Sequence, residues 1–531
     1  MKTKKVAYYK DLREHVKVLE SKGKLVRITR EINKDTELMP LVRWQYRGLP
    51  EEERKAFFFE NVVDAKGKKY RMPVVVGMYA GSMEIYAIGM MCPAEAIMEK
   101  WAQAQLHPIK ARMVADGPVH EEVHLGRNLL EHDGLGEIPV PISTPGFDNA
   151  PYFSAANWVT RDPETGLTNL GNYRAMVKSK TRTGVNVQPR QDLRTHWEKC
   201  RQMGKPLPAA IVIGAGPVIG YVATAKLPLG DDYGVAGGIA GEPIELVKCK
   251  TVDIEVPATA EIVIEGEIPT DSLEREAPFG EYTGYMGIEM IQPYFNVTGI
   301  THRRDAIFNA FISQFTPSES SVLRHVGDES TLYKFLRYDC GLPVLDVGLH
   351  ESSGSLPYCV IKMKKTHPAQ PWQAMNGAAA HSIWRKIIIA VDDDIDPRDA
   401  DAVNWALAYR VQAEQDVRII SGRRAPLDPS VLPPGPDSEW QYPGPHGGSA
   451  LMIDATRKWN YPPVSLPRRE FMERARQIWE EEGLPKLHIK APWHGYSLGY
   501  WTKENEEEAE LAVKGEYYIT GEKLAKQRVQ L

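Results

Sequence analysis

The spacing of apolar positions divides the chain into three stretches of different rhythm. From about Val6 to Arg27 apolar residues recur at helical spacing, with a glycine-containing break and the short apolar stretch Lys24 to Ile28. A β-rich segment, Met72 to Gly77, then precedes a helical run from Pro93 to Gln105, so residues 1–118 read as a small α/β domain. The middle, residues 119–318, is a series of short β-branched runs punctuated by Gly and Pro: Ala210 to Gly214, Thr251 to Val256, Ile262 to Gly266 and Tyr294 to Thr301. Strands at that spacing, with few long helical patterns, predict a barrel or a sandwich.

Residues 319–531 change character again. Lys386 to Val391 is continuously apolar, as a strand buried on both faces should be. An acidic turn, Asp392 to Asp396, then leads into an amphipathic helix, an order that favours an α/β domain with some parallel pairing. Leu432 to His446 is too rich in Pro and Gly for regular structure and is expected to form a long loop; a helix follows around Arg468 to Glu482, and a charged helical tail from Lys503. The fold class expected is a multidomain α+β or α/β protein. Its 531 residues exceed one ordinary core.

Composition changes this picture little. Apolar residues at 43% and charged residues at 25% are ordinary for globular proteins, and a net charge of -5 gives no global attraction to nucleic acid. Five scattered cysteines without a Cys-x-x-Cys pair fit a reducing compartment. The first twenty residues lack the apolar core of a signal peptide, and no apolar run approaches the roughly 18–20 residues of a membrane helix. The expected location is cytoplasmic, with no membrane partner.

Two stretches invite readings that their details oppose. Ile211 to Gly220 (IVIGAGPVIG) has Ile219 where a dinucleotide-binding fingerprint needs glycine, so it reads as a turn between barrel strands, with Val218 to Val222 as the next strand. Asp392, Asp393, Asp394 and Asp396 could bind a metal, but Pro397 stands where a calcium loop would have glycine, and acidic residues at a helix start are favoured by its dipole alone.

Three segments put ionisable groups among small, turn-forming residues: Thr168 to Arg174, Leu229 to Gly234, and Glu274 to Tyr285. In the last, Glu276 and Glu281 are separated by Pro278 and Gly280, so a turn fixes their relation. An arginine can hold a substrate carboxylate, one glutamate can orient it, and a less solvated one can carry a proton. A surface salt-bridge cluster is the competing reading, and spacing alone does not bring Arg174 near Glu276.

These segments resemble the UbiD-like family of prenylated-FMN-dependent (de)carboxylases, from about Tyr9 to Trp459. The N-L-x-x-x-R motif falls on Asn169 and Arg174, and the E-x-P-F/Y-G-E/D-x-x-G-Y signature on Glu276 to Tyr285. Further matches are Val247 to Ile268 and Ile453 to Trp459. The resemblance implies a split β-barrel flavin-binding domain in the middle and an oligomerising C-terminal domain. It makes Arg174 the catalytic arginine, Glu276 its partner and Glu281 the proton donor. Prenylated FMN would lie against Asn169, Leu170, Gly171, Asn172, Tyr173, Arg174 and Gln191, with Lys458 at its phosphate. A divalent cation (Mn²⁺, Mg²⁺ or Fe²⁺) would be held by Asn169, Asp192 and Asp232, with K⁺ a further candidate. The two aspartates depart from the family, which commonly has His and Glu there; the resulting all-oxygen set still suits hard cations.

The implied reaction is reversible decarboxylation of an aromatic or conjugated acid, the cofactor coming from a flavin prenyltransferase. The nearest likeness within the family is to its aromatic-acid branch, including phthaloyl-CoA decarboxylase. The basic run Lys178 to Pro189 carries that likeness, either facing an anionic substrate or forming a solvated turn. The competing readings are a non-catalytic or carboxylating subunit of an aromatic carboxylase, such as phenylphosphate carboxylase, and an ordinary FMN oxidoreductase. A homo-oligomer, dimer to hexamer, is expected.

Overall fold

The computed structural model describes residues 7–188, 191–227, 230–287, 289–423, 428–431 and 448–527. The expected long loop from Leu432 to His446 lies outside them. The three largest of five sheets among the described residues organise them into a multidomain α+β fold. The first joins Leu25–Asn33, Ala56–Val63, Val74–Val76 and Phe308–Ala310, so a strand late in the chain closes the N-terminal sheet. Helix Leu12–Ser21 packs Leu12, Val16 and Leu19 against it, and Asp11 caps that helix by accepting from the N–H of Glu14.

The second sheet has nine strands among the described residues and curls into a half-barrel. At its centre Leu207–Ile213 pairs antiparallel with Ile262–Ile268 and with Asn157–Arg161. Both faces of this strand are covered, which is why its apolar run is almost unbroken. The five-stranded third sheet runs in the order Val344–Leu349, Tyr358–Met363, Ile387–Val391, Gly448–Ala455, Val417–Arg423, with its three inner strands parallel. Ile387–Val391 thus has the buried parallel place its sequence indicated.

Three local expectations are corrected. Pro217–Thr224 is a helix, not a strand, entered through Gly216 with Pro217 in its first turn. Seven of its eight residues are buried, so it shows no helical periodicity to read. At Gly220 a methyl group would stand 2.6 Å from the ring of buried Tyr79. The strand expected over Thr251 to Val256 is confined to Glu255–Pro257, because the N–H groups of Lys250 and Thr251 turn away to donate to the buried Glu265 carboxylate. The acidic turn is structural for a reason other than a helix dipole. Asp392 and Asp394 both pair with buried Arg410, while Asp399 caps the helix Ala400–Arg410.

Beyond the third sheet, helices Arg469–Glu481, Lys503–Val513 and Tyr517–Ala525 contain no buried residue. Among the described residues no helix is long and apolar enough to cross a membrane.

Candidate active site

A cavity of about 610 Å³ opens between the half-barrel and the C-terminal part of the chain. That is within the usual size of a site for a cofactor and a small substrate. One wall is the strand Thr168–Asn172, continued by Tyr173 and Arg174 at the corner before strand Ala175–Ser179. The corner is pinned on both sides. The Tyr173 N–H donates to the Ala156 carbonyl, the Trp158 indole donates to the Tyr173 carbonyl, and the Asn186 N–H donates to the Arg174 carbonyl.

From that corner Arg174 reaches the turn that follows strand Glu274–Glu276. Its Nε and Nη2 donate to the two carboxylate oxygens of Glu276, each at 3.3 Å, and its Nη1 donates to Glu281. The Asn186 amide also donates to Glu276. The guanidinium lies 5.2 Å from the centre of the Phe279 ring. The turn holding Glu281 is closed by its own N–H donating to the Tyr285 carbonyl at 2.8 Å. Gly284 there has φ +86°, a conformation that favours glycine.

Two carboxylates share one guanidinium on the cavity wall, where the Arg174 and Glu281 side chains are each only 11% exposed. Glu276 is fully buried and answered by three donated hydrogen bonds, whereas Glu281 accepts one from Arg174. Burial raises the Glu281 pKa, the pull of Arg174 opposes it, and the charge of Glu276 raises it again, for a net upward shift. Burial acts to lower the pKa of Arg174, but Glu276 and Glu281 outweigh it and hold the guanidinium above its ordinary value.

A second cluster lines the same cavity. Asp192 is the first residue of helix Asp192–Gln202, and Asp232 the first of the buried helix Asp232–Ala240. Asp232 accepts the N–H of Leu170 at 2.7 Å, and burial pushes its carboxyl up to about 7. Asp192 pairs with Lys226 at 2.9 Å. The side-chain nitrogen of Asn169 is buried without a partner. Two helix starts and an all-oxygen donor set therefore face one end of the cavity, an arrangement fit for a phosphate and a hard cation.

Asn169, Leu170, Gly171, Asn172, Tyr173, Arg174, Gln191, Asp192, Glu281 and Asp232 all line this cavity, and Glu276 sits directly behind Arg174. Lys458 does not: its ammonium donates to the carbonyls of Asp454 and Thr456 and pairs with Asp416 at the end of the third sheet. The basic run is also accounted for internally, Lys178 and Arg182 pairing with Glu274 and Lys180 with Asp133. None of these three cations lines the cavity, although Asn186 and Gln188 of the same run do.

Sequence reasoning missed four residues here. Asn186 steadies Glu276. Arg324, on helix Glu319–Lys334, enters the cavity from the opposite side, its Nη1 buried without a partner. Tyr282 lies under Arg324 at 4.9 Å and meets Trp384 edge to face at 5.6 Å, forming an aromatic wall. Nothing in a helical arginine or an isolated tryptophan marks such a position.

A half-barrel with an arginine–glutamate centre on the wall of an adjoining cavity is the class this geometry defines, and the comparisons give its family. Residues 16–105, 112–314 and 321–455 match the N-terminal, Rift-related and C-terminal domain models of 3-octaprenyl-4-hydroxybenzoate carboxy-lyase. A protein of Aquifex aeolicus, named only as uncharacterized, is 31% identical over 90% of this chain and 99% of its own. The chain belongs to the UbiD family. Among solved structures, an evolved dimeric form of the UbiD-class enzyme HmfF from Pelotomaculum thermopropionicum, in complex with prFMN, is 31% identical. Its TM-score is 0.76, over 88% of this chain and 100% of that one. The vanillic acid decarboxylase of Sedimentibacter hydroxybenzoicus in closed form is 28% identical, with TM-score 0.78 over 90% and 100%.

Proposed function

We propose that this chain is a prenylated-FMN-dependent carboxy-lyase that decarboxylates an aromatic or conjugated acid. The observation that carries the reading is the largely covered Arg174 held between Glu276 and Glu281 on the cavity wall. Family membership and the prFMN-bound neighbour support the cofactor. The residues fit it: the wall from Asn169 to Arg174, with Gln191, would hold the flavin, and Asn169, Asp192 and Asp232 a divalent cation at its phosphate. Lys458 has no part in this reading of a single chain.

When bound, prenylated FMN supplies an electron sink for the bond that CO₂ leaves. The chain's own residues do the rest. Arg174 offers Nη1 to the substrate carboxylate, which displaces Glu281 from that nitrogen. Glu276 and Asn186 keep the guanidinium aimed while this exchange occurs. Glu281, whose hold on a proton is strengthened by its low exposure, then gives a proton to the carbon that loses CO₂ and regains one from water afterwards. Phe279, Tyr282 and Trp384 give the cavity flat apolar walls, suited to a conjugated skeleton. Retention of this centre weighs against a non-catalytic subunit.

The test is protein made together with a flavin prenyltransferase. The wild type should exchange ¹³C-bicarbonate into members of a panel of aromatic acids and their CoA thioesters, and Glu281→Gln should abolish exchange while the modified flavin stays bound. Normal exchange in Glu281→Gln sinks the assignment.

A further inference from the structure

Elsewhere on the half-barrel three ligand-bearing side chains from separate segments converge. His124 lies in strand Glu122–Leu125, Glu137 ends the single turn Gly134–Glu137, and His302 ends strand Tyr294–His302. One ligand atom of each lies within 4.8 Å of the other two. Nδ1 of His124 is 3.2 Å from Glu137, and Nε2 of His302 is 3.4 Å from it. His124 Nδ1, His302 Nε2 and Glu137 Oε2 are all buried without a partner. The two imidazoles are only 4% and 6% exposed.

The tautomer of His302 is set by its other nitrogen. Nδ1 lies 2.8 Å from the Arg303 carbonyl, which can only accept, so Nδ1 carries the proton. In the neutral ring Nε2 is then a lone pair turned toward a carboxylate. Either a proton on Nε2 or a metal cation can join that lone pair to the carboxylate; only the cation would also engage the unpartnered Nδ1 of His124. The backbone bond on the far nitrogen is also the support that metal-ligating histidines commonly have. None of the three residues lines the cavity described above.

We propose that His124, Glu137 and His302 form a second metal site, for a divalent transition cation such as Zn²⁺ or Co²⁺. Two imidazoles and one carboxylate select borderline metals over Mg²⁺ and Mn²⁺, with a fourth position left for water. The all-oxygen set in the cavity has the opposite preference, so the chain would sort two metals between two places. A bound ion would clamp the neighbouring segments of His124 and Glu137 to a strand end far along the chain.

The experiment uses full-length protein stripped of metal and titrated with Co²⁺ under excess Mg²⁺, which occupies oxygen-only donors. The wild type should take up one Co²⁺ per chain with the visible absorption of a nitrogen-ligated ion, displaced by Zn²⁺. His302→Gln, His124→Gln and Glu137→Gln should each lose that absorption, while Asp192→Asn keeps it. Zn²⁺ should raise the unfolding temperature of the wild type but not of the three variants, so a variant that folds poorly is still judged against its own metal-free state. No Co²⁺ uptake by the wild type under Mg²⁺, or uptake undiminished in the three variants, overturns the proposal.

Discussion

Asp232 begins a helix whose walls are almost entirely apolar, and burial there lifts its carboxyl pKa to about 7 from an ordinary 3.8. Between those values the folded chain holds a proton that the unfolded chain has lost. In the metal-free protein this residue's contribution to stability therefore falls as pH rises through that window, and levels off above about 7. A cation must displace the same proton, so its apparent affinity should weaken about tenfold per pH unit below about 7 and change little above. Calorimetric titration with Mn²⁺ across that range checks this, and an affinity indifferent to pH would contradict it. Arg324 makes a different prediction. A charge-assisted hydrogen bond is worth about 1.5–3 kcal/mol, so if its free Nη1 meets substrate, Arg324→Ala should raise KM roughly 10- to 150-fold with a smaller change in kcat. Equal losses in both would assign it to the chemical step. Arg174, Glu276 and Glu281 were visible because they sit in ordered motifs. Arg324 was not, since only the packing of helix Glu319–Lys334 brings it to the cavity.

Among the elements, helix Pro217–Thr224 shows why some structure was hidden. Periodicity reports a boundary between core and water, and an element buried on every side has no such boundary. The amphipathic helix Leu12–Ser21, with one buried face, was legible for the converse reason. Gly220→Ala tests how tightly the hidden helix is held. The added methyl would meet Tyr79, which is fully buried and donates its hydroxyl to the Ala215 carbonyl at 2.6 Å. Overpacking of this kind costs about 1–3 kcal/mol, so thermal unfolding should begin several degrees lower. An unchanged transition would mean that the ring has room to yield.

For the whole molecule, the C-terminal helices are the part that a single chain leaves unexplained. Phe471 and Ile478 share a face of helix Arg469–Glu481 and are 40% and 44% exposed, and Trp501, Tyr518 and Ile519 stand open nearby in sequence. We expect a second copy to cover them. Light scattering should find an oligomer in the wild type, and Phe471→Asp with Ile478→Asp should shift it toward monomer while leaving the cavity intact; an unshifted oligomer would place the interface elsewhere. The first sheet carries a consequence of another kind. Its strand Val74–Val76 waits for Phe308–Ala310 as its parallel neighbour. A ribosome adding about 5–20 residues each second needs on the order of 10–50 s to travel between them. Throughout that time the edge of the nascent sheet is open to wrong partners. The earliest part of the chain to emerge is thus completed only after the half-barrel strands have been made, and this protein's exposure to mispairing during synthesis should last until then.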